Sequence, residues 1–207
     1  RFYHTNFTGR GDQIKLALQQ GFTHKYEIDY NLPFINKAQT LGMSSEVLYS
    51  SNRDVRIATV NSQDSFLRDE SQRLFRRFRV GLGFQYRPEL LETHNLEIKY
   101  RRRTVADTVA ILNPDFFLDG RLQQRYFEMR YRMVLDYRDF RPYPLNGNYY
   151  SVELLKEGFG IFGERNALIL NSKYAHYMEL APKVSMEMIV EGETNLVRKR
   201  QPYFNNR

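Results

Sequence analysis

Arg10-Gly11-Asp12, inside the stretch TNFTGRGDQIKLALQQG at 5–21, is the tripeptide that many adhesion ligands dock on integrins. It is one of several places where residue types and spacing could do chemistry. Four histidines, at 4, 24, 94 and 176, could ligate a metal, but they show none of the short ligand spacings that metal sites use. Ser44 and Ser45 could be nucleophiles, yet no base lies near them in sequence and no G-x-S-x-G elbow exists. Glu27 with Asp29, and Glu187 with Glu191, could form acid and base pairs; both sets fall on one side of an alternating segment, as solvated charges with basic partners do. The stretch VGLGF lacks the G-x-G-x-x-G context of a phosphate-binding turn. With no cysteine, disulfides, thiolate metal sites and cysteine nucleophiles are excluded. The expectation is a chain without catalytic residues, bound metal or cofactor.

A net charge of +7 invites a nucleic-acid partner. The distribution argues against one, because Arg77, Arg79, Lys99, Arg101, Arg130 and Arg132 alternate with apolar residues and share segments with Glu97, Glu128 and Asp136. The basic stretch LVRKRQ at 196–201 reads as the base of a loop.

The elements that must position these charges are strands. In FRRFRVGLGFQYRP, 75–88, Phe78, Val80, Leu82, Phe84 and Tyr86 take every second place. Arg77, Arg79, Gly81, Gly83, Gln85 and Arg87 fill the gaps. A period of two is a strand with one apolar and one polar face, whereas a helix would scatter the apolar groups and lose about 1 kcal/mol at each interior glycine. The rhythm recurs at DQIKLALQQ, KYEIDYNL, TLGMSSEVLY, NLEIKYRR, RYFEMRYRMVLDYR, YYSVELLKE, ALILNSKYAHYMEL and KVSMEMIVE. About nine strands of roughly nine to fourteen residues result, longer than the five or six of ordinary globular strands and matched to a tilted crossing of a bilayer.

No stretch approaches the roughly 18 apolar residues of a membrane helix, but a membrane barrel needs only alternation. Tyr26, Tyr30, Tyr49, Tyr86, Tyr100, Tyr126, Tyr137 and Tyr150 concentrate near strand ends, as in aromatic girdles. Every second connection is compact, at FTGRG, PFINKAQ, PELLET, DFRPYPLNG and LAPK; the intervening set holds the two long ones, at 51–73 and 105–124. Long loops of one parity place them on one side of the membrane. A one-residue slip would aim Arg77, Arg79 and Arg87 at lipid, costing about 2 to 4 kcal/mol each near the midplane. The ionic face therefore lines a lumen: Glu27, Asp29, Arg77, Arg79, Glu97, Lys99, Arg101, Glu128, Arg130, Arg132 and Glu187.

Two stretches resemble a particular family. LDYRDFRPYPLNGNYYSVELL, 135–155, is similar to the Asp-x-Arg-Asp, Pro, Pro-x-x-Gly-x-Tyr passage of the BamA/TamA superfamily of outer-membrane assembly and translocation barrels. Its elements here are Asp136, Arg138, Asp139, Pro142, Pro144, Gly147 and Tyr149. The opening NFTGRGD resembles that superfamily's Asn-Leu-x-Gly-x-Gly turn, with Phe7 in place of Leu, Gly9 and Gly11 as paired turn glycines and Asp12 as the first residue of the next strand. On this reading Arg10-Gly11-Asp12 belongs to a periplasmic turn, not to a receptor ligand. QPYFNNR, 201–207, resembles the lead-in to the family's Arg-Gly-Phe-like loop motif.

The resemblance implies an all-β, antiparallel transmembrane barrel, of which residues 1–207 supply the tail of the second strand and strands three to eleven of sixteen. N-terminal periplasmic domains and closing strands would lie elsewhere in a longer polypeptide. It further implies a bacterial outer-membrane location with long loops extracellular, and a non-enzymatic role in folding and inserting nascent outer-membrane proteins. Lipid, lipopolysaccharide and accessory lipoproteins would be partners. The residues themselves leave two other readings open: a passive porin or substrate-secreting pore, and a barrel anchoring a hydrolase.

Overall fold

Alternating residues of large and β-branched type pack on a pleated surface, so each periodic segment pairs with its sequence neighbour rather than coiling. The computed structural model describes residues 1–162, 165–197 and 202–205. Its strands are β1 (Phe2–Thr5), β2 (Gln13–Gln19), β3 (Thr23–Leu32), β4 (Leu41–Asn52), β5 (Asp54–Val60), β6 (Gln63–Arg68), β7 (Phe75–Tyr86) and β8 (Glu92–Val105). A short helix α1 (Asp107–Leu112) precedes β9 (Gln123–Asp136), β10 (Gly147–Glu157), β11 (Ala167–Ala181) and β12 (Val184–Asn195). One ten-stranded sheet runs in the order β1-β2-β3-β4-β7-β8-β9-β10-β11-β12, and β5 pairs only with β6. Each neighbouring pair in the large sheet is antiparallel. The sheet does not close on itself; β1 and β12 are its edges.

Directly opposite residues share a face, so the register reads out the two surfaces. Leu16, Ile28, Val47, Val80, Tyr100 and Phe127 form one continuous row on the apolar face. Lys15, Asp29, Glu46, Gly81, Lys99 and Glu128 form a row on the other. Burial is inverted relative to a water-soluble sheet: Leu82 is 50% exposed and Ile98 45%, while Glu27 is 8% and Glu128 2% exposed. Curvature toward the ionic side crowds those side chains together and splays the apolar ones outward. An apolar surface this extensive is stable only against lipid or another apolar phase.

Strands β3, β4 and β7 to β12 are as long as the alternation implies, though β2 is shorter, and the five compact connections named from the sequence share one end of the sheet; the three-residue turn between β2 and β3 lies at the other. Two features differ from the sequence reading. The long connection at 51–73 is not a plain loop, because Val55 pairs with Leu67 and Arg56 with Phe66 as the segment folds back into the β5–β6 hairpin, with an irregularity at Ile57. The second long connection contains α1. Tyr126 also departs from the aromatic girdle assigned to it. It lies on the ionic face, 2% exposed, with its hydroxyl donating to Glu157 Oε1 at 3.2 Å. Its neighbours Arg125 and Phe127 take the outward places, so parity, rather than nearness to a strand end, decides which aromatic meets lipid. Arg198 to Gln201, most of the basic stretch read as a loop base, lie outside the described residues.

Among the described residues, one cluster resembling the core of a soluble protein sits at the long-connection end. Val55, Leu74, Phe75, Val105, Val109, Phe116 and Phe117 are buried together, with Ile57, Leu67, Tyr203 and Phe204 packed against them.

Candidate functional site

The charged face is wired by ion pairs both across and along its strands. On β2 and β3, Lys15 Nζ lies 2.7 Å from Asp29 Oδ2 and 3.5 Å from Glu27, and Lys25 Nζ lies 2.8 Å from Glu27. In the middle, Glu46 receives Arg79 at 3.0 Å and Lys99 at 3.1 Å, and Lys99 also meets Glu97 at 2.7 Å. Farther along, Arg101 Nε lies 2.7 Å from Glu128, and Arg130 lies 3.9 Å from Glu153. Arg77 donates to Ser50 Oγ at 3.0 Å, and Arg132 donates to the Tyr149 hydroxyl at 3.3 Å. Glu187 stands opposite Tyr177 on the exposed edge strand β12.

Glu46 and Lys99 belong to β4 and β8, which flank β7. Their side chains meet because the intervening residue is Gly81: a Cβ there would stand 2.8 Å from Lys99 Cγ and 3.2 Å from Glu46 Cγ. Glycine in a strand otherwise weakens it, so its place here marks a close approach. Gly81→Leu is expected to separate Glu46 from Lys99 and destabilise the folded protein by about 1 to 3 kcal/mol, the usual effect of overpacking. Urea titration of the protein refolded into lipid vesicles checks this; an unchanged midpoint refutes it.

The sequence reading missed Glu46, the acid shared by two cations, along with Lys15, Lys25, Glu153 and Glu157. Glu46 could have been found, since it sits at the polar parity of its segment next to Val47. Glu157 pairs with Arg165 at the far end of β10, through Arg165 Nε at 2.7 Å, a contact across a loop that no periodicity reveals.

The turns at the opposite end are built by side chains that satisfy backbone donors. In the first, Asn6 adopts φ 64° and its Oδ1 accepts the Gly11 amide at 2.8 Å, while Asp12 Oδ1 accepts the Thr8 amide at 2.8 Å. Gly9 and Gly11 hold φ of 84° and 72°, the left-handed region where glycine alone is unstrained. Asp12 closes this turn rather than opening the next strand, which starts at Gln13. Its side chain is fully buried and committed to its own turn. Arg10-Gly11-Asp12 therefore has no free carboxylate to give a receptor.

In the β9–β10 turn, Arg138 makes a two-pronged contact with Asp136, at 2.7 and 3.0 Å, and Arg141 adds a third at 3.0 Å. The Arg138 guanidinium lies 4.9 Å above the Tyr149 ring, so the distant Tyr of the motif is the platform for its Arg. Asp139 Oδ1 accepts the Phe140 and Leu145 amides at 2.8 and 3.0 Å. Partial burial raises the Asp139 pKa, but bonds from Asn146, Phe140 and Leu145 outweigh it, and the carboxyl sits below its ordinary value. Pro142 and Pro144 restrict φ between these anchors. Gly147, at φ 114°, has no room for a side chain, since a Cβ would stand 2.2 Å from the Tyr137 carbonyl oxygen.

At the other end the hydrophobic cluster covers the ionic face. Phe204, beyond β12 in sequence, packs its ring 5.1 Å from Phe75 of β7 and beneath the Arg103 guanidinium of β8 at 4.7 Å. Tyr203 meets Thr59 of the hairpin, hydroxyl to hydroxyl at 3.0 Å. This segment thus sits over β7 and β8, several strands away from β12, and with the hairpin forms a cap. Chemically the site is a wall of fixed, mutually compensated charge under an apolar lid. Among the described residues no cluster of histidine and carboxylate could hold a metal ion.

The model of the Omp85 superfamily domain matches residues 6–200. No curated protein matches the sequence. Among solved structures, the fold is similar to BamA from Haemophilus ducreyi lacking POTRA domains 1-3, with a TM-score of 0.66 at 10% identity. The alignment covers 98% of this chain and 39% of that one, so the chain spans well under half the length of this structural relative.

Proposed function

This chain belongs to the Omp85 superfamily, and from that premise we propose that it is part of a sixteen-stranded barrel in the outer membrane of a Gram-negative bacterium, where the full protein folds and inserts nascent outer-membrane proteins. The long connections then face the cell exterior, and the turns at 6–12, 33–40, 87–91, 137–146 and 182–183 face the periplasm. Turn residues Gly9, Gly11, Asp136, Arg138, Asp139, Pro144 and Gly147 hold strand register there. The role is non-enzymatic. Nascent outer-membrane proteins, accessory lipoproteins and lipopolysaccharide are the partners, and periplasmic domains elsewhere in the polypeptide receive the clients. Strands supplied by the same polypeptide would cover the open edges of β1 and β12, since unpaired backbone facing lipid costs several kcal/mol per group.

The observation that carries this reading, against a passive pore, is the cap. A porin needs an open water path, whereas here Phe75, Phe116, Phe117 and Phe204 pack across the mouth of the charged face. Energy for insertion would then come from the barrel wall and its seam, not from conduction. In planar bilayers the full protein is expected to give small, flickering currents. Deleting the β5–β6 hairpin, Asp54–Arg68, is expected to turn these into larger steady ones. Insertion of a radiolabelled barrel client into vesicles, scored by protease protection, tests the activity. A large steady conductance from the intact protein, with no gain in client insertion over empty vesicles, would sink the proposal.

A further inference from the structure

The register places three arginines on the wrong face for the lumen. Phe78, Arg102 and Arg125 lie in one outward row on β7, β8 and β9. Arg76 stands in the next row toward the long connections, opposite Thr104. Of the inward arginines, Arg79, Arg101 and Arg130 each meet a carboxylate, while Arg77 donates to Ser50 and Arg132 to Tyr149. Among the described residues, neither Arg76 nor Arg102 has a carboxylate partner. Arg102 instead donates from Nε to Gln123 Oε1 at 3.0 Å, which fixes its guanidinium at the surface. Arg125 lies 4.8 Å over the Phe162 ring, and that ring stacks on Phe127 at 6.0 Å and meets Tyr100 edge-on at 6.1 Å. Arg76 also lines a separate groove with Arg73 and with Asp107 at the start of α1, which neither Arg102 nor Arg125 lines.

Height along the strands gives the patch its meaning. The outward aromatic row Tyr26, Tyr49 and Phe78 ends the apolar band on this side, and aromatic residues mark the level of lipid headgroups. Arg102 and Arg125 sit at that level and Arg76 one step beyond it. A guanidinium inside hydrocarbon is costly, but at the headgroup level its planar fork matches a phosphate with paired hydrogen bonds. Stacking over Phe162 and the bond to Gln123 restrict the side chains beforehand and lower the ordering cost of binding.

We propose that Arg76, Arg102 and Arg125 form a binding site for the phosphate of a lipid headgroup in the leaflet on the long-connection side, with Tyr100, Phe127 and Phe162 lying along the start of its acyl chains. The proposal rests on the barrel reading above, because only a membrane-embedded sheet brings this face to headgroups.

The test uses the full protein reconstituted in phosphatidylcholine bilayers carrying a minor fraction of bis-phosphorylated lipid A. Retained glycolipid per protein is measured after detergent extraction by native mass spectrometry. The triple variant Arg76→Gln, Arg102→Gln, Arg125→Gln is expected to weaken retention by on the order of 100-fold, since each basic group near a charged membrane surface contributes about fivefold. The double variant Lys37→Gln, Arg87→Gln, at the opposite end, is expected to leave it unchanged. A second arm needs no variant: dephosphorylated lipid A should be retained by the natural protein as weakly as phosphatidylcholine, and inorganic phosphate should not displace the phosphorylated form. Equal retention of both glycolipids, or of the triple variant and the natural protein, overturns the proposal. Displacement by inorganic phosphate overturns the lipid as its occupant. Failure of the natural protein to enter bilayers at all would instead refute the barrel reading, and client insertion assayed on the same samples separates the two.

Discussion

Gly147→Val abolishes folding, and the protein is recovered without a heat-modifiable band or a strand signal in circular dichroism. The expectation follows from two independent effects at one atom. Gly147 holds φ 114°, a conformation that costs a β-branched residue on the order of 1 to 3 kcal/mol. Its missing Cβ would also fall 2.2 Å from the Tyr137 carbonyl oxygen, and 2.9 Å from the Arg138 Cα. Those are backbone atoms, and they cannot rotate away. Moving them would break the hydrogen bond that the Tyr137 amide donates to the Asn148 carbonyl at 2.8 Å and lift Arg138 off Asp136. Loss of that turn unpins β9 from β10, which pair over nine positions in the middle of the protein's second half. Gly9→Val is the control, since Gly9 has a similar φ of 84° but nothing within 4 Å of the missing atom. It should bear the backbone strain alone and still refold, with a lowered midpoint. If Gly147→Val refolds at the midpoint of Gly9→Val, steric closure does not explain the glycine.

How much of this was legible in the sequence depends on the range of the interaction. Alternation at 75–88 gives β7 and its two faces, because a strand's facing is a local property and the energy of misfacing several arginines is large. The turns were legible as glycines and prolines, though not the reason for Tyr149, which acts by lying under Arg138 eleven residues upstream. The cap was not legible. Val55, Phe116 and Phe204 are far apart in sequence, and each sits in a segment whose own pattern is too short to announce a face. The same holds for the outward arginines: Arg101, Arg102 and Arg103 run consecutively, so composition gives one basic cluster where the pleat makes two opposed ones. Only pairing across to Phe78 and Arg125 separates them.

The adjacent serines test the central inversion most directly. Ser44 faces the charged wall in register with Gly83 and then Glu97, whereas Ser45 faces outward between Tyr30 and Leu82. Leu82 stands four residues from Phe78 and four from Tyr86, the aromatic residues on that strand at either end of the apolar band, so Ser45 lies at mid-height. Ser45→Arg therefore places a guanidinium against the hydrocarbon midplane, and urea unfolding from lipid vesicles should show a loss of about 2 to 4 kcal/mol. Ser44→Arg puts the same group over Gly83, beside Glu97, in the way Lys99 already reaches Glu46 over Gly81. It is expected to change stability by less than about 1 kcal/mol, as partly solvated ion pairs do. Were the apolar face the wetted one, Ser45→Arg would place its guanidinium in water at a cost within about 0.5 kcal/mol, and Ser44→Arg would carry the penalty. The sign of the difference between two neighbouring substitutions thus reports which face is shielded from water, and in a protein refolded into vesicles the shielding phase is lipid.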